Sequence, residues 1–211
     1  MPNEPIIGVL LAGGQSRRMG GGDKCLMTLA GRSLLERAME RLAPQVSEMI
    51  LNANGEPARF SRFGLPVVAD PVEGFAGPLA GVLAGLRWAN ANRPEVRWIV
   101  TAATDTPFFP EDLVARLWDG AGDTYPAIAL ASYQSRPQPV FGLWPTALAD
   151  DLEEALGAGT RKVLDWTDRH AGSLVEFPPV IGEGREIDPF FNANRPDDMA
   201  EAERLIAEGS P

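Results

Sequence analysis

The run Ile6-Ile7-Gly8-Val9-Leu10-Leu11 constrains the fold more than any other stretch of the chain. It has no polar alternate, which is the pattern of a strand covered on both faces, as in the interior of a parallel sheet between helices. It stops at Gly13-Gly14 and opens into Gln15-Ser16-Arg17-Arg18-Met19-Gly20-Gly21-Gly22-Asp23-Lys24. A buried strand ending in such a loop is suited to phosphate, because glycine lets backbone N–H groups approach a polyanion and turn through positive φ. Between Gly13 and Leu35 four cations (Arg17, Arg18, Lys24, Arg32) accompany one acid, Asp23, a local balance of +3 in a chain of net charge -10.

Two familiar phosphate loops are excluded by residue type. The NTPase loop needs Lys and then Ser or Thr directly after its last glycine, whereas Gly22 is followed by Asp23, Lys24 and Cys25. The dinucleotide fingerprint fails because Gly13 and Gly14 are adjacent, with Ser16 to Met19 behind them.

The rest of the chain alternates strand and helix signals. Ser33-Leu34-Leu35-Glu36 is a capping box, followed by an apolar face of Leu34, Leu35, Ala38, Met39 and Leu42 and a stop at Pro44. Strands are expected at 48–52, 66–69 and 98–102, each running into a polar segment: Asn52-Ala53-Asn54-Gly55, Asp70-Pro71 and Thr104-Asp105-Thr106-Pro107. Helices are expected from Gly77-Pro78 to about Asn90 and over 110–118. Polar strand ends of this kind line the carboxyl edge of an open α/β sheet, where ligands bind.

Beyond residue 125 a hairpin (127–132 and 138–143), helices at 146–156 and 161–169 and a strand at 173–177 are expected. A loop over 178–189, an extended segment over 190–194 and a closing helix over 196–208 follow. The expected architecture is a three-layer α/β/α fold with a mostly parallel central sheet and a mixed C-terminal part, one domain over 1–211.

Composition removes several function classes. A pI near 4.6 argues against nucleic acid as partner, since duplex affinity rests on many cationic contacts. Cys25 is the lone cysteine, which rules out an intrachain disulfide and a cysteine-rich zinc site and fits a reducing, cytoplasmic location. The N-terminal apolar run is far short of the ~20 residues that span a bilayer, so no membrane partner is expected.

Asp105, just past an apolar strand, is suited to bind magnesium, which is commonly held by one or two carboxylates plus substrate phosphates; a turn or helix-cap acid fits the position equally. Lys24, Arg17 and Arg18 suit phosphate oxygens, against a bland reading as solvated surface cations. Asn52 and Asp70 can read a purine edge or a ribose hydroxyl, or simply begin loops. His170 reads as a cap or surface residue and Cys25 as a small packed one. The five tryptophans are scattered and read as core.

Leu11-Ala12-Gly13-Gly14, Ser16, Arg18-Met19-Gly20 and Lys24 together resemble the signature of nucleotidyltransferases with a Rossmann-like N-terminal fold. With Asp23-Lys24 the segment is most similar to that of the molybdenum cofactor guanylyltransferases. The resemblance implies GTP contacts from Leu11, Ala12, Gly13, Lys24, Asn52, Asp70 and Asp105. It makes Asp105 the Mg²⁺ ligand and Lys24, Arg17 and Asp105 the catalytic set. Gly77-Pro78-Leu79-Ala80-Gly81 would lie against the base.

Gln138-Pro139, Gly159-Thr160-Arg161-Lys162-Val163 and Asn192-Ala193-Asn194-Arg195-Pro196 match more loosely. They imply a pterin surface in which Arg161 and Lys162 meet a phosphate and Asn192 and Asn194 orient the substrate. Ser135-Arg136-Pro137 departs from members that carry a histidine before the proline. The implied division is a nucleotide half over about 6–110 and a pterin half over about 125–205.

The implied activity is transfer of GMP from GTP to molybdopterin carrying molybdenum, with release of pyrophosphate, by a monomer. Transient contacts with molybdenum insertion proteins and molybdoenzyme chaperones would accompany it. A cytidylyltransferase acting on the same pterin and a non-catalytic nucleotide-binding module in cofactor delivery are the alternatives.

Overall fold

The computed structural model describes residues 4–13, 23–72, 77–122, 125–182 and 184–209. Most of the glycine-rich loop, residues 14–22, lies outside them, and with it Gly14, Arg17 and Arg18.

In chain order the elements begin with β1 (Ile6–Leu11), a short hairpin of β2 (Thr28–Leu29) and β3 (Arg32–Ser33), α1 (Leu34–Leu42), β4 (Glu48–Asn52) and β5 (Val67–Val68). Then come α2 (Pro78–Asn92), β6 (Trp98–Ala103), α3 (Leu113–Ala121), β7 (Ile128–Tyr133), β8 (Arg136–Pro145) and α4 (Ala149–Gly157). The chain continues through α5 (Val163–Thr167), β9 (Gly172–Glu176), β10 (Val180–Gly182), β11 (Arg185–Ile187) and α6 (Pro196–Ala207).

Seven strands form one sheet in the order β5-β4-β1-β6-β8-β7-β9. All neighbouring pairs are parallel except those made by β8, which runs antiparallel to both β6 and β7. The mostly parallel sheet and its mixed C-terminal part are therefore as expected. β7 and β8 join through Gln134 and Ser135, with φ of 49° and 61°. Two consecutive positive-φ residues make the tight turn that matches strand twist, so the hairpin is longer than the sequence suggests.

Side chains of β1 alternate between two cores. Ile6 and Leu10 pack with Leu35, Ala38 and Leu42 of α1 and Leu113 and Leu117 of α3. Ile7 and Val9 pack with Leu79, Val82, Leu83 and Leu86 of α2 and with residues of α4 and α5. Helices thus cover both faces, which is why β1 carries no polar alternate. Ser33 caps α1 in the expected box: its side chain accepts from the Glu36 N–H, and Glu36 Oε2 accepts from the Ser33 N–H at 2.7 Å.

A third, smaller core gathers Leu29, Leu34, Phe108, Ile187, Ala193, Met199, Ala202 and Leu205. It docks α6 and the 192–194 segment against the loop that follows β6. Burying one such large apolar side chain is worth roughly 1.5–3 kcal/mol, enough to hold a short segment in place.

Several boundaries differ from the sequence reading. The 178–189 stretch is not all loop, since β10 and β11 pair within it; strands of three residues leave no periodic signal. α3 begins at Leu113 rather than Pro110, whose carbonyl instead accepts the Leu113 N–H in a preceding turn. α5 shrinks to Val163–Thr167, and residues 146–148 form a 3-10 turn before α4. Among the described residues no helix is long and apolar enough to cross a membrane.

Candidate active site

Strand register sets the site. Leu11, the last residue of β1, pairs with Asn52 on one side and Ala103 on the other, so three strands end level. From β1 the chain moves outward to β4 and β5, then returns to β6 on the opposite side, making β1 and β6 flank the point where strand order reverses. Ligands in open α/β sheets bind in the crevice at such a point. The ends are tied together: the Ala12 N–H donates to the Asn52 carbonyl at 2.9 Å, and Thr104 Oγ1 donates to the Leu11 carbonyl at 3.2 Å.

At the β6 end, Lys24 Nζ donates to Asp105 Oδ2 at 2.7 Å and to Asn192 Oδ1 at 3.2 Å, and also to Asn194 Oδ1. Four residues from three distant stretches therefore meet at one buried ammonium. The third core explains how. Ala193 is fully buried and its N–H donates to the Asp105 carbonyl at 2.9 Å, which leaves the flanking Asn192 and Asn194 beside Lys24. Asp198 at the start of α6 accepts from the N–H groups of Asn194 and Arg195 at 2.9 and 2.8 Å and fixes the turn. The resemblance assigns both asparagines to the pterin; in the fold their side chains meet Lys24.

On the other side of β1, Asn52 Nδ2 donates to Asp70 Oδ1 at 2.9 Å and to the Val68 carbonyl at 3.1 Å. Asn54 makes a reciprocal clamp: its Nδ2 donates to Asp70 Oδ2 at 2.7 Å, and its Oδ1 accepts from the Asp70 N–H at 2.8 Å. Asn54 was not a sequence candidate. The polar strand end 52–55 was its only signal.

Helix α2 starts directly above this group. A Cβ on Gly81 would stand 2.5 Å from Asn52 Oδ1 and 2.7 Å from Leu11 Cδ2, so only glycine lets the helix lie so close to the strand ends.

Other candidates fall elsewhere. Gly13 lies outside the positive-φ range, and among the described residues nothing stands within 4 Å of a Cβ built there. Arg161 turns its guanidinium back onto the Leu156 and Thr160 carbonyls, both at 2.8 Å, while its own carbonyl passes the start of α2 at Gly77. His170 is less of a surface residue than expected: its Nε2 lies 2.9 Å from Asp151 Oδ1, and its ring packs edge-on to the buried Trp166. Burial raises the Asp151 carboxyl, but hydrogen bonds from Trp166 and His170 outweigh it and leave the group below its ordinary value.

Cys25 is buried as expected. Burial first, then the Asp23 charge, pushes its thiol up to about 12, so it is no nucleophile.

A mostly parallel sheet with helices on both faces, and with charged and amide side chains gathered at its switch point, defines the class: a Rossmann-like α/β protein of the nucleotidyltransferase kind. The model of the MobA-like NTP transferase domain matches residues 8–172, and the chain belongs to that family.

Among curated relatives, the molybdenum cofactor guanylyltransferase of Rhodopseudomonas palustris (strain BisB5) is 54% identical over 203 residues, covering 96% of this chain and 94% of that protein. The enzyme of the same name from Mesorhizobium japonicum is 54% identical over 202 residues, covering 95% and 96%. Among solved structures, molybdopterin-guanine dinucleotide biosynthesis protein A of Archaeoglobus fulgidus superposes with a TM-score of 0.75 at 24% identity, covering 96% of this chain and all of that one. The fold is shared more widely: a 4-diphosphocytidyl-2C-methyl-D-erythritol synthase of Anaerococcus prevotii reaches a TM-score of 0.72 at 13% identity, covering 97% of this chain and 96% of its own.

Proposed function

We propose that this protein is a molybdenum cofactor guanylyltransferase, transferring GMP from GTP to the terminal phosphate of molybdenum-bearing molybdopterin. The observation that carries the site assignment is the meeting of Lys24 with Asp105, Asn192 and Asn194 at a sheet edge whose other end holds Asn52 and Asp70. Since the fold also serves a cytidylyl-named protein, the choice of guanine rests on the relatives of 54% identity.

An oxygen of the pterin phosphate attacks the α-phosphorus of GTP, a new P–O bond forms, the bond to the β-phosphate bridge breaks, and pyrophosphate leaves. A phosphate monoester has a second pKa of about 6 and is largely dianionic at neutral pH, so the nucleophile needs no protein base. What the protein must supply is alignment of anionic groups and neutralisation of the charge that shifts onto the leaving pyrophosphate. Lys24 offers a point charge for phosphate oxygens, and Arg17, from the glycine-rich loop, is assigned the same task. Asn52 and Asp70 are assigned to the nucleoside end, with Leu11, Ala12 and Gly13 passing beneath it.

Magnesium fits the residues present. Asp105, Asn192 and Asn194 already turn three hard oxygens onto a single cation, the Lys24 ammonium. Among the described residues no three acidic, histidine or cysteine side chains cluster as a metal set, so Asp105 would be the one carboxylate offered to an ion that is commonly held by one or two carboxylates plus substrate phosphates. Asp105 would hold it, and the ion would draw charge from the phosphate oxygens.

The division of labour follows: residues of about 6–110 hold the nucleotide, and those of about 125–205 hold the pterin and contribute Asn192 and Asn194 to the junction. Pyrophosphate release from GTP and from CTP, with molybdopterin and magnesium, tests this reading. Turnover with GTP that is lost in Asp105→Ala, while weak GTP binding remains, supports it; equal use of CTP, or undiminished turnover in the variant, refutes it.

A further inference from the structure

Arg59, in the 3-10 turn Pro57–Phe63, reaches from the loop after β4 to Asp23, the residue before Lys24. Its Nε stands 2.5 Å from Asp23 Oδ2, and both side chains are 27% exposed. The N–H does not point along that contact, so charge rather than an aligned hydrogen bond holds the pair. Nη1 donates to the Glu56 carbonyl at 2.8 Å, Nη2 donates to the Asn54 carbonyl, and the guanidinium lies 4.5 Å over the Phe60 ring.

The group is thus fixed before any ligand arrives. Gly55 makes room for it: φ there is +87°, and a Cβ would stand 2.9 Å from Nη1. Asn54, whose carbonyl Arg59 takes, is also the residue whose side chain clamps Asp70.

We infer that Arg59 is a positioning residue for the nucleotide site, acting through Asp23 to fix where Lys24 presents its ammonium. The inference rests on the nucleotidyltransferase reading above. Gly20, Gly21 and Gly22 have no side chains to anchor the end of the loop, which makes Asp23 the nearest side chain ahead of Lys24 that can be held. Lysine carries its charge on a flexible four-carbon stem, so a fixed backbone origin decides which position the ammonium favours. The Asp23 contact serves the phosphate end, whereas the bond from Arg59 to the Asn54 carbonyl lies on the Asp70 side, so Asp23→Asn is the variant that isolates the strut.

Affinities for GTP and for GMP, measured by titration calorimetry on Arg59→Gln, Asp23→Asn and the double variant, test this, with thermal melting to follow the fold. Each single variant is expected to lose about tenfold in GTP affinity, within the coupling range of contacting pairs, while in Asp23→Asn GMP affinity changes less than about twofold. The double variant is expected to bind GTP no more weakly than the worse single one. Unchanged GTP affinity, equal losses for GTP and GMP in Asp23→Asn, or additive losses in the double variant would overturn the strut while leaving the site assignment standing. Wild-type protein with no preference for GTP over GMP would overturn the site assignment, and the strut with it.

Discussion

The Lys24 ammonium donates to the Asp105 carboxylate across 2.7 Å, although 81 residues separate the two in the chain. The pair lies at the carboxyl edge of β1 and β6, with side chains only 10% and 24% exposed. Such a pair in a partly dry crevice is a weak source of stability and a strong source of local field. Lys24→Ala leaves Asp105 unpaired but partly open to water, so the variant is expected to fold with reduced stability and to lose about 10²–10³ in turnover, the usual cost of removing one preorganised charge-stabilising donor. Steady-state pyrophosphate release checks this, and turnover within threefold of wild type, with ~threefold being under 1 kcal/mol, would remove Lys24 from the chemistry.

At Gly81, α2 runs close against the strand ends at Leu11 and Asn52. Gly81→Ala places a methyl 2.5 Å from Asn52 Oδ1, so either the helix or the amide must move. A loss of about 1–3 kcal/mol in urea unfolding is expected from overpacking, together with weaker GTP binding because Asn52 is displaced. A variant with wild-type stability and GTP affinity would show that the helix shifts freely and that Asn52 is not confined by it.

Asn54→Ala removes both bonds of its clamp on Asp70. At about 1 kcal/mol for each of the two hydrogen bonds, a rise of up to about thirtyfold in the KM for GTP is expected, with kcat changed much less. An unchanged KM, or a loss confined to kcat, would place Asp70 outside the nucleotide site.

Cys25 gives a pH-dependent readout. Its thiol is held up at about 12 by burial, above its ordinary value of 9.0, so the folded chain keeps this proton more tightly than the unfolded one. The sign follows: this contribution is present in full below the unfolded value and is lost as pH rises from there toward 12. At pH 8 the native protein is expected to react negligibly with a thiol reagent such as dithionitrobenzoate, and to react stoichiometrically once unfolded in guanidinium. Rapid reaction of the native protein would contradict the burial.

Much of the scaffold was legible because its signals are local. β1 and β4 ran to the expected residue, since an apolar run that meets a polar strand end marks its own boundary. The Ser33 capping box fixed the start of α1 for the same reason.

The meeting of residues 24, 105, 192 and 194 was legible only in part. The glycine-rich loop and the strand-end acid mark Lys24 and Asp105 as candidates, but nothing local says that Asn192 and Asn194 fold back onto Lys24. That return is made by the third core, whose members lie far apart in the chain. Arg59 was invisible for a related reason: as a cation amid polar loop residues it looks like solvated surface, and only the tertiary fold brings Asp23 to it.

Diffraction from crystals soaked with GTP and Mn²⁺ tests the central claim most directly. The expected result is an anomalous peak bonded to the Asp105 carboxylate, a GTP phosphate oxygen within hydrogen-bonding reach of Lys24 Nζ, and the guanosine lying toward Asn52 and Asp70. Manganese and triphosphate bound together at a place that neither Lys24 nor Asp105 touches would contradict it.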